Sequence, residues 1–340
     1  MQETQKMISR FSLNTAKVLV LLLVVLCLLS CSVTDNHVVK YDSFPKQYLL
    51  SADSVPTQAL YDNVFMTIVN GTVVVSSSKA DTLMHFYSTP ALDYLFGTGV
   101  RGHSSHEMQS LPTFCQSMNG DLYVRGFTPY SLRRFRISQD RLLEKGRYNL
   151  HFYESPNDMH LIHDSLFYYN DLTNMEVNSY NLNRGKMENR FQLSSMYDCG
   201  KDALIGIFCV NDSLAIYAFQ YKKEILVLRT KDLSYVKTVT WDYDNQDDII
   251  GTPQYLSAKL FYTAGMATRN YFYLLYRGSI PYDKKAQFSI DVYDRNAVPV
   301  CKYNLDRKIF KFVMDEKNGY IYGFGENGDY IYRYKVNPPH

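Results

Sequence analysis

Val64-Phe65-Met66-Thr67-Ile68-Val69-Asn70-Gly71-Thr72-Val73-Val74-Val75-Ser76 sets an apolar run, a polar two-residue turn and a second apolar run side by side. Asn-Gly between two such runs signals a β-hairpin, because both residues accept the positive φ that a tight hairpin turn demands. The same text recurs downstream. Phe114 to Val124 turns at Asn119-Gly120, Met159 to Tyr169 at Asp164-Ser165, and Ile205 to Phe219 at Asn211-Asp212. Tyr262 to Tyr276 turns at Arg269-Asn270, and Phe310 to Phe324 at Asn318-Gly319. The turns lie about 45 to 58 residues apart, which is the period of a structural repeat.

Each hairpin is followed by more strand-like text, such as Glu224 to Arg229 then Tyr235 to Trp241, or Phe288 to Tyr293 then Val298 to Asn304. A hairpin plus two strands makes a four-stranded antiparallel sheet, and sheets repeated radially make a propeller. No stretch of the mature chain carries sustained helical apolar periodicity. The expected fold is therefore all-β, a six-bladed β-propeller over residues 37–340. The last repeat has only Tyr330 to Val336 after its hairpin, one strand short. His37 to Tyr41 is expected to supply that outer strand and close the ring, removing sheet edges that would otherwise pair with other chains.

Upstream, Lys6, Arg10 and Lys17 give a positive n-region and Val18 to Leu29 is an unbroken apolar run. The run is shorter than the roughly 20 residues a membrane-spanning helix needs, and reads as the core of a secretory signal. Leu28-Leu29-Ser30-Cys31 resembles a bacterial lipobox, which implies cleavage before Cys31 and lipidation of its thiol and amine. Residues 1–30 are thus read as a lipoprotein signal peptide, and 31–36 as a short lipid-anchored tether. The precursor carries a formal net charge of +2. The signal contains Glu3, Lys6, Arg10 and Lys17, so the mature chain is close to neutral. Near-neutrality, export and the lack of a long basic run argue against a nucleic-acid partner. Arg133, Arg134 and Arg136 form the one dense basic cluster, read as a solvated strand or loop edge. The 30 tyrosines and 19 phenylalanines suit half-buried pleated surfaces.

Leu95-Phe96-Gly97-Thr98-Gly99-Val100-Arg101-Gly102-His103-Ser104-Ser105-His106-Glu107-Met108 is similar to the glycine-rich stretch of the TolB-like six-bladed β-propeller lipoproteins of the Bacteroidetes, roughly G-x-x-G-x-G-P-x-E and an apolar residue. Gly99, Gly102, Glu107 and Met108 match, while Ser104-Ser105 replaces the usual Gly-Pro. The resemblance covers nearly the whole mature chain. It implies a cell-envelope protein of a family without assigned activities. Read from the residues alone, the stretch is a loop joining the first and second blades. It lacks the Gly-Lys-Ser/Thr ending of a P-loop and the strand-to-helix setting of a dinucleotide fingerprint.

Other constellations point weakly to chemistry. His103, His106 and Glu107 are residue types that suit zinc or manganese, but HxxHE needs a helix to bring its members together. His160 and His163 flank a strand, where residues three apart face opposite ways. Asp242, Asp244, Asp247 and Asp248 lack the glycine and closing glutamate of a calcium loop and read as a solvated acidic loop. No G-x-S-x-G elbow occurs. Asp53-Ser54-Val55, Asp81-Thr82-Leu83, Asp164-Ser165-Leu166 and Asp212-Ser213-Leu214 resemble Bacteroidetes O-glycosylation sites and equally suit turns. Cys115, Cys199, Cys209 and Cys301 permit either disulfides or buried thiols. No catalytic residue, metal or cofactor is expected. The preferred function is a membrane-anchored, non-catalytic binding module that engages an envelope protein or glycan, at the outer membrane and on its periplasmic face. The alternative is a metal-dependent hydrolase or lyase with its site in the central channel.

Overall fold

The computed structural model describes residues 37–340 except 59, 60, 63, 80, 129, 152–155, 326, 327 and 338–340. The signal peptide, Cys31 and the tether 31–36 lie outside the described residues. Asn70 and Gly71 adopt φ of 48° and 75°, the left-handed pair that a two-residue hairpin turn requires, and all six expected hairpins form.

Three short strands precede the repeats: β1 (Val38–Lys40), β2 (Gln47–Leu50) and β3 (Ala52–Pro56). The first antiparallel meander is β4 (Phe65–Val69), β5 (Thr72–Ser76), β6 (Met84–Ser88) and β7 (Tyr94–Thr98). The second is β8 (Thr113–Ser117), β9 (Leu122–Arg125), β10 (Ser131–Ile137) and β11 (Leu142–Asn149). The third is β12 (Asn157–Ile162), β13 (Leu166–Asp171), β14 (Glu176–Asn181) and β15 (Lys186–Gln192). The fourth is β16 (Gly206–Val210), β17 (Leu214–Phe219), β18 (Glu224–Arg229) and β19 (Tyr235–Thr240). The fifth is β20 (Leu260–Ala267), β21 (Tyr271–Ser279), β22 (Phe288–Asp294) and β23 (Pro299–Leu305). The last has β24 (Lys311–Asp315), β25 (Tyr320–Phe324) and β26 (Tyr330–Lys335).

Each meander is a sheet of its own, and hydrogen bonding links the second and third edge to edge, so that the six sheets form five continuous ladders. Their first strands pair briefly in parallel, Gln116 with His160 and Ser117 with Leu161. The first strands of successive meanders are neighbours: β4 by β8, β8 by β12, β12 by β16, β16 by β20, β20 by β24, and β24 by β4. The arrangement is all-β and propeller-like. Tyrosine fills the space between sheets: twelve tyrosines are among the largest fully buried side chains. Several hydroxyls find acceptors, as buried phenols usually do, Tyr168 on Thr230 O (2.9 Å) and Tyr217 on Leu204 O (2.8 Å).

The expected closing strand is corrected. β1 does not join the last sheet; it lies parallel to β19, and Tyr41 N–H continues the ladder to Thr240 O at 3.0 Å. β2 lies parallel to β23, and β3, antiparallel to β26, is the fourth strand of the last sheet. The reason is connectivity. In each repeat the outermost strand hands the chain to the innermost strand of the next sheet, so the strand completing the last sheet must lie just upstream of β4. β3 meets that condition and residues 37–41 do not. The segment 38–56 is thus a strap along the outer edges of three consecutive sheets. Asp306 accepts hydrogen bonds from Ser51 Oγ (3.0 Å) and Ala52 N–H (3.2 Å), and Arg333 pairs with Asp53 (3.0 Å).

The hairpin turns tie neighbouring sheets together. Asn70 Nδ2 donates to Gly120 O (2.7 Å), and Asn119 Nδ2 to the Asp164 carboxylate. Arg269 pairs with Asp212 (3.7 Å), Thr268 Oγ1 donates to Glu316 (2.6 Å), and Asn318 Nδ2 to Thr89 Oγ1 (3.3 Å). Between the third and fourth sheets a tie lies deeper, where His160 Nε2 donates to Phe208 O at 2.8 Å. One end of the sheet array is therefore knitted by its turns.

Candidate functional site

At the opposite end, where the first strands begin, the described residues frame a recess of about 370 Å³. β4 brings Phe65, β8 Thr113 and Gln116, β12 Asn157 and Asp158, β16 Gly206, and β24 Lys311. Arg125, at the end of β9, also lines it. The size suits a small ligand or the tip of a larger one.

Below this mouth the passage is crossed by one side chain. Gln116 Nε2 donates to Gly265 O (3.3 Å), and its Oε1 accepts from Ala267 N–H (3.4 Å). Those partners lie on β20, which is not a neighbour of β8 in the order of first strands, so the carboxamide spans the axis. Beneath it remains a cavity of about 40 Å³, lined mainly by Ile68, Leu161, Ile162, Val210, Met266 and Val313, with His160 in its wall. Such a space holds a few waters at most. Burial pushes the His160 pKa down to about 4, so its imidazole is neutral at pH 7 and donates to Phe208 O.

Charge at the mouth is asymmetric. Asp158 has φ of 35°, at an irregularity between Asn157 and His160 where β12 and β13 lose register. This bulge turns its carboxylate inward. There it accepts from Phe208 N–H (3.0 Å) and Asn170 Nδ2 (3.2 Å), joining the third sheet to the fourth. Burial pushes the Asp158 pKa up, while Lys311 and the two hydrogen bonds oppose that shift. The carboxylate is committed to structure, and Arg125 and Lys311 are cationic side chains in the lining of the recess. Burial pushes the Arg125 pKa down, and Lys311 Nζ sits 5.8 Å from the centre of the Phe65 ring.

The residues singled out in the sequence lie elsewhere. The glycine-rich stretch joins β7 to β8, as expected of a connection. Met108 N–H donates to Val100 O (2.9 Å), and Gly102 N–H to Met108 O (3.0 Å). Glu107 accepts from Ser104 N–H at 2.9 Å, and that bond holds its carboxyl below the usual range. A Cβ on residue 102 would collide with the Glu107 carboxylate. The matching residues therefore build a loop. His163, at a left-handed turn position with φ of 50°, does not join His160.

Among the described residues no group of three or more His, Cys, Asp or Glu stands close enough to hold a metal ion. The acidic loop after β19 is engaged by cations: Asp242 with Lys40 (2.5 Å), Asp244 with Lys259 (3.6 Å) and Asp247 with Lys222 (2.5 Å). Cys115, Cys199, Cys209 and Cys301 are all free thiols, and burial pushes each one's pKa up. Ser54 and Ser213 are exposed, whereas Thr82 and Ser165 are half-buried.

One reading of the basic cluster is corrected. Arg133 is buried, not solvated. Its guanidinium lies 3.8 Å from the centre of the Phe127 ring, donates to Ser105 O (2.7 Å) and pairs with Glu144 (3.4 Å). Arg134 and Arg136 both pair with the buried Asp121. The cluster braces the second sheet because the planar guanidinium can stack and bond at once.

No family model matches the chain, and no curated protein matches it. Among solved structures it is similar to a protein of Bacteroides fragilis described as exported. The two share 10% identity over 88% of this chain and 99% of that one, with a TM-score of 0.54. It is also similar to the WD40 domain of Neurospora crassa Pan2 (7% identity, 88% and 98% covered, TM-score 0.48) and to glutaminyl cyclase of Myxococcus xanthus (8%, 85% and 98%, 0.41). At these identities the first likeness is one of fold alone, and the latter two are too distant to bear on the argument. No helix among the described residues is long and apolar enough to cross a membrane.

Proposed function

We propose that the chain is a six-bladed β-propeller akin to the TolB-like lipoproteins, held on the outer membrane by lipid at Cys31 and serving as a non-catalytic binding module of the cell envelope. Six hairpin-led units, the cyclic order of their first strands and completion of the last sheet by β3 support the blade count. The lipobox-like Leu28-Leu29-Ser30-Cys31 and the exported Bacteroides fragilis protein of like fold support the address. The periplasmic face remains the preferred side.

The observation that carries the binding role is Gln116 spanning the axis. A passage crossed by its own side chain leaves a closed-bottomed recess at the mouth, a shape for docking a projecting group. With Asp158 committed to the scaffold, Arg125 and Lys311 favour an acidic segment of an envelope protein or an acidic glycan.

A photo-reactive amino acid at Asn157, in cells producing the full chain, should cross-link to an envelope component. Lys311→Glu in the same chain should cut that adduct at least fivefold. An adduct indifferent to Lys311→Glu would overturn the mouth as the binding surface. Cys31→Ser should move the protein from the detergent phase to the aqueous phase on detergent partition; retention in the detergent phase would refute the lipid anchor.

A further inference from the structure

A second cavity, of about 520 Å³, opens between the fourth and fifth sheets beneath the strap, with Lys223, Trp241, Tyr276, Lys302, Asn304 and the strap's Phe44 in its wall. Two ammonium groups converge there on one ring. Lys302 Nζ is 4.5 Å from the centre of the Tyr276 ring and 5.2 Å from that of Phe44. Lys223 Nζ is 5.8 Å from the Tyr276 ring and 5.8 Å from the Trp241 ring.

Their charges are balanced differently. Lys302 has a counter-ion, the buried Asp291 at 3.3 Å. Lys223 has no ion-pair partner among the described residues; burial first, and then the Lys302 charge, push its pKa down, while the charges of Asp291 and Asp242, beyond ion-pair distance, oppose that shift. The rim adds Arg277 and Lys285 against Asp42 and Asp283, so the lining carries four cationic side chains and two carboxylates. The Trp241 ring forms part of the same wall. An ammonium without an ion-pair partner, in a lining richer in cations than in carboxylates, asks for an oxyanion.

The volume is that of a monosaccharide or disaccharide site, and Asn304, Gln287, Ser279 and Ser289 in the lining offer carboxamides and hydroxyls to a polyhydroxylated ring. We propose that this cavity binds a small acidic carbohydrate, with Lys223 as the counter-ion of its carboxylate, sulfate or phosphate. The site is separate from the mouth and stands or falls independently of it.

Trp241 is the single tryptophan of the chain, so its fluorescence reports on this cavity alone. Glucuronate, glucose 6-sulfate and glucose 6-phosphate are the probes, with glucose, inorganic sulfate and inorganic phosphate as controls, each titrated to about 10 mM, a range that detects weak binding. At least one acidic sugar should change the emission saturably, and which one does so identifies the oxyanion. Glucose should not. Lys223→Gln should weaken binding at least tenfold with its melting temperature unchanged, Lys223→Arg should retain it, and Lys285→Gln at the rim should leave it intact. A flat emission with all three acidic sugars, an equal response to glucose or to the inorganic ions, or unchanged affinity in Lys223→Gln would overturn the proposal.

Discussion

The two ends of the sheet array are made of different things. At the turn end, local residues do two jobs: Asn70, Asn119, Asp164 and Asn318 shape their own hairpins and also bond to a neighbouring sheet or turn. At the mouth, long-range partners meet, and Arg125 and Lys311 line a recess. Ties between sheets gather where the chain reverses tightly, and the recess lies where the connections between sheets are longer. A scaffold divided in this way can vary one end without loosening the other.

That division can be broken first at its deepest tie. His160 is neutral in the fold with a pKa of about 4 against an ordinary 6.5. A group with a depressed folded-state pKa of this kind contributes stability above the unfolded value, and that contribution is lost as pH falls through 6.5 towards 4, because the unfolded chain takes the proton first. The expected loss is about 3 kcal/mol. His160→Gln keeps an N–H for Phe208 O and cannot titrate there, so denaturant unfolding at pH 7 and pH 4 should show a shallower acid loss in the variant. Equal losses in the two proteins would place the acid sensitivity elsewhere.

Asn119→Ala strikes the turn end. It removes bonds to Tyr123 OH (2.8 Å), Asp121 N–H (3.0 Å), Ser117 Oγ (2.9 Å) and the Asp164 carboxylate. The expected cost is about 2 kcal/mol, read as a lower denaturation midpoint with an unchanged slope, and with cross-linking at the mouth intact. Smallest should be Lys311→Gln at the mouth, within about 0.5 kcal/mol of the parent in stability. A large destabilisation there, or a negligible one at Asn119, would erase the contrast between the ends.

Legibility in the sequence follows the same line. The hairpins and their turns could be read directly, because positive φ is written in local residue types and apolar runs announce strands. The mouth could not. Gln116, Arg125, Asp158 and Lys311 come from three repeats and nearly two hundred residues of chain, and none sits in a motif of its own. The bulge that turns Asp158 inward has no signature in Asn157-Asp158-Met159-His160. The resemblance motif, by contrast, was legible and proved to be a loop built on Gly102 and Glu107. Arg133 misled because charge suggests solvent, whereas a guanidinium stacked on Phe127 with an acceptor and a carboxylate in reach can be buried. The strap misled because a short strand such as Val38–Lys40 does not announce its partner, and β2 and β3 are too short and too polar to stand out as strands before theirs are known.

The strap also sets a timetable. β3 is synthesised before all six repeats and pairs with β26, which follows their other strands. Closing a loop of that length carries an entropic cost that grows only slowly with chain length, so the delay comes from order of arrival more than from thermodynamics. Until the final repeat emerges, β3 has no partner and the open edge of the last sheet does not yet exist. A chain truncated anywhere before Tyr330 would leave β3 as an unpaired strand upstream of its first repeat, a free edge open to pairing with other chains.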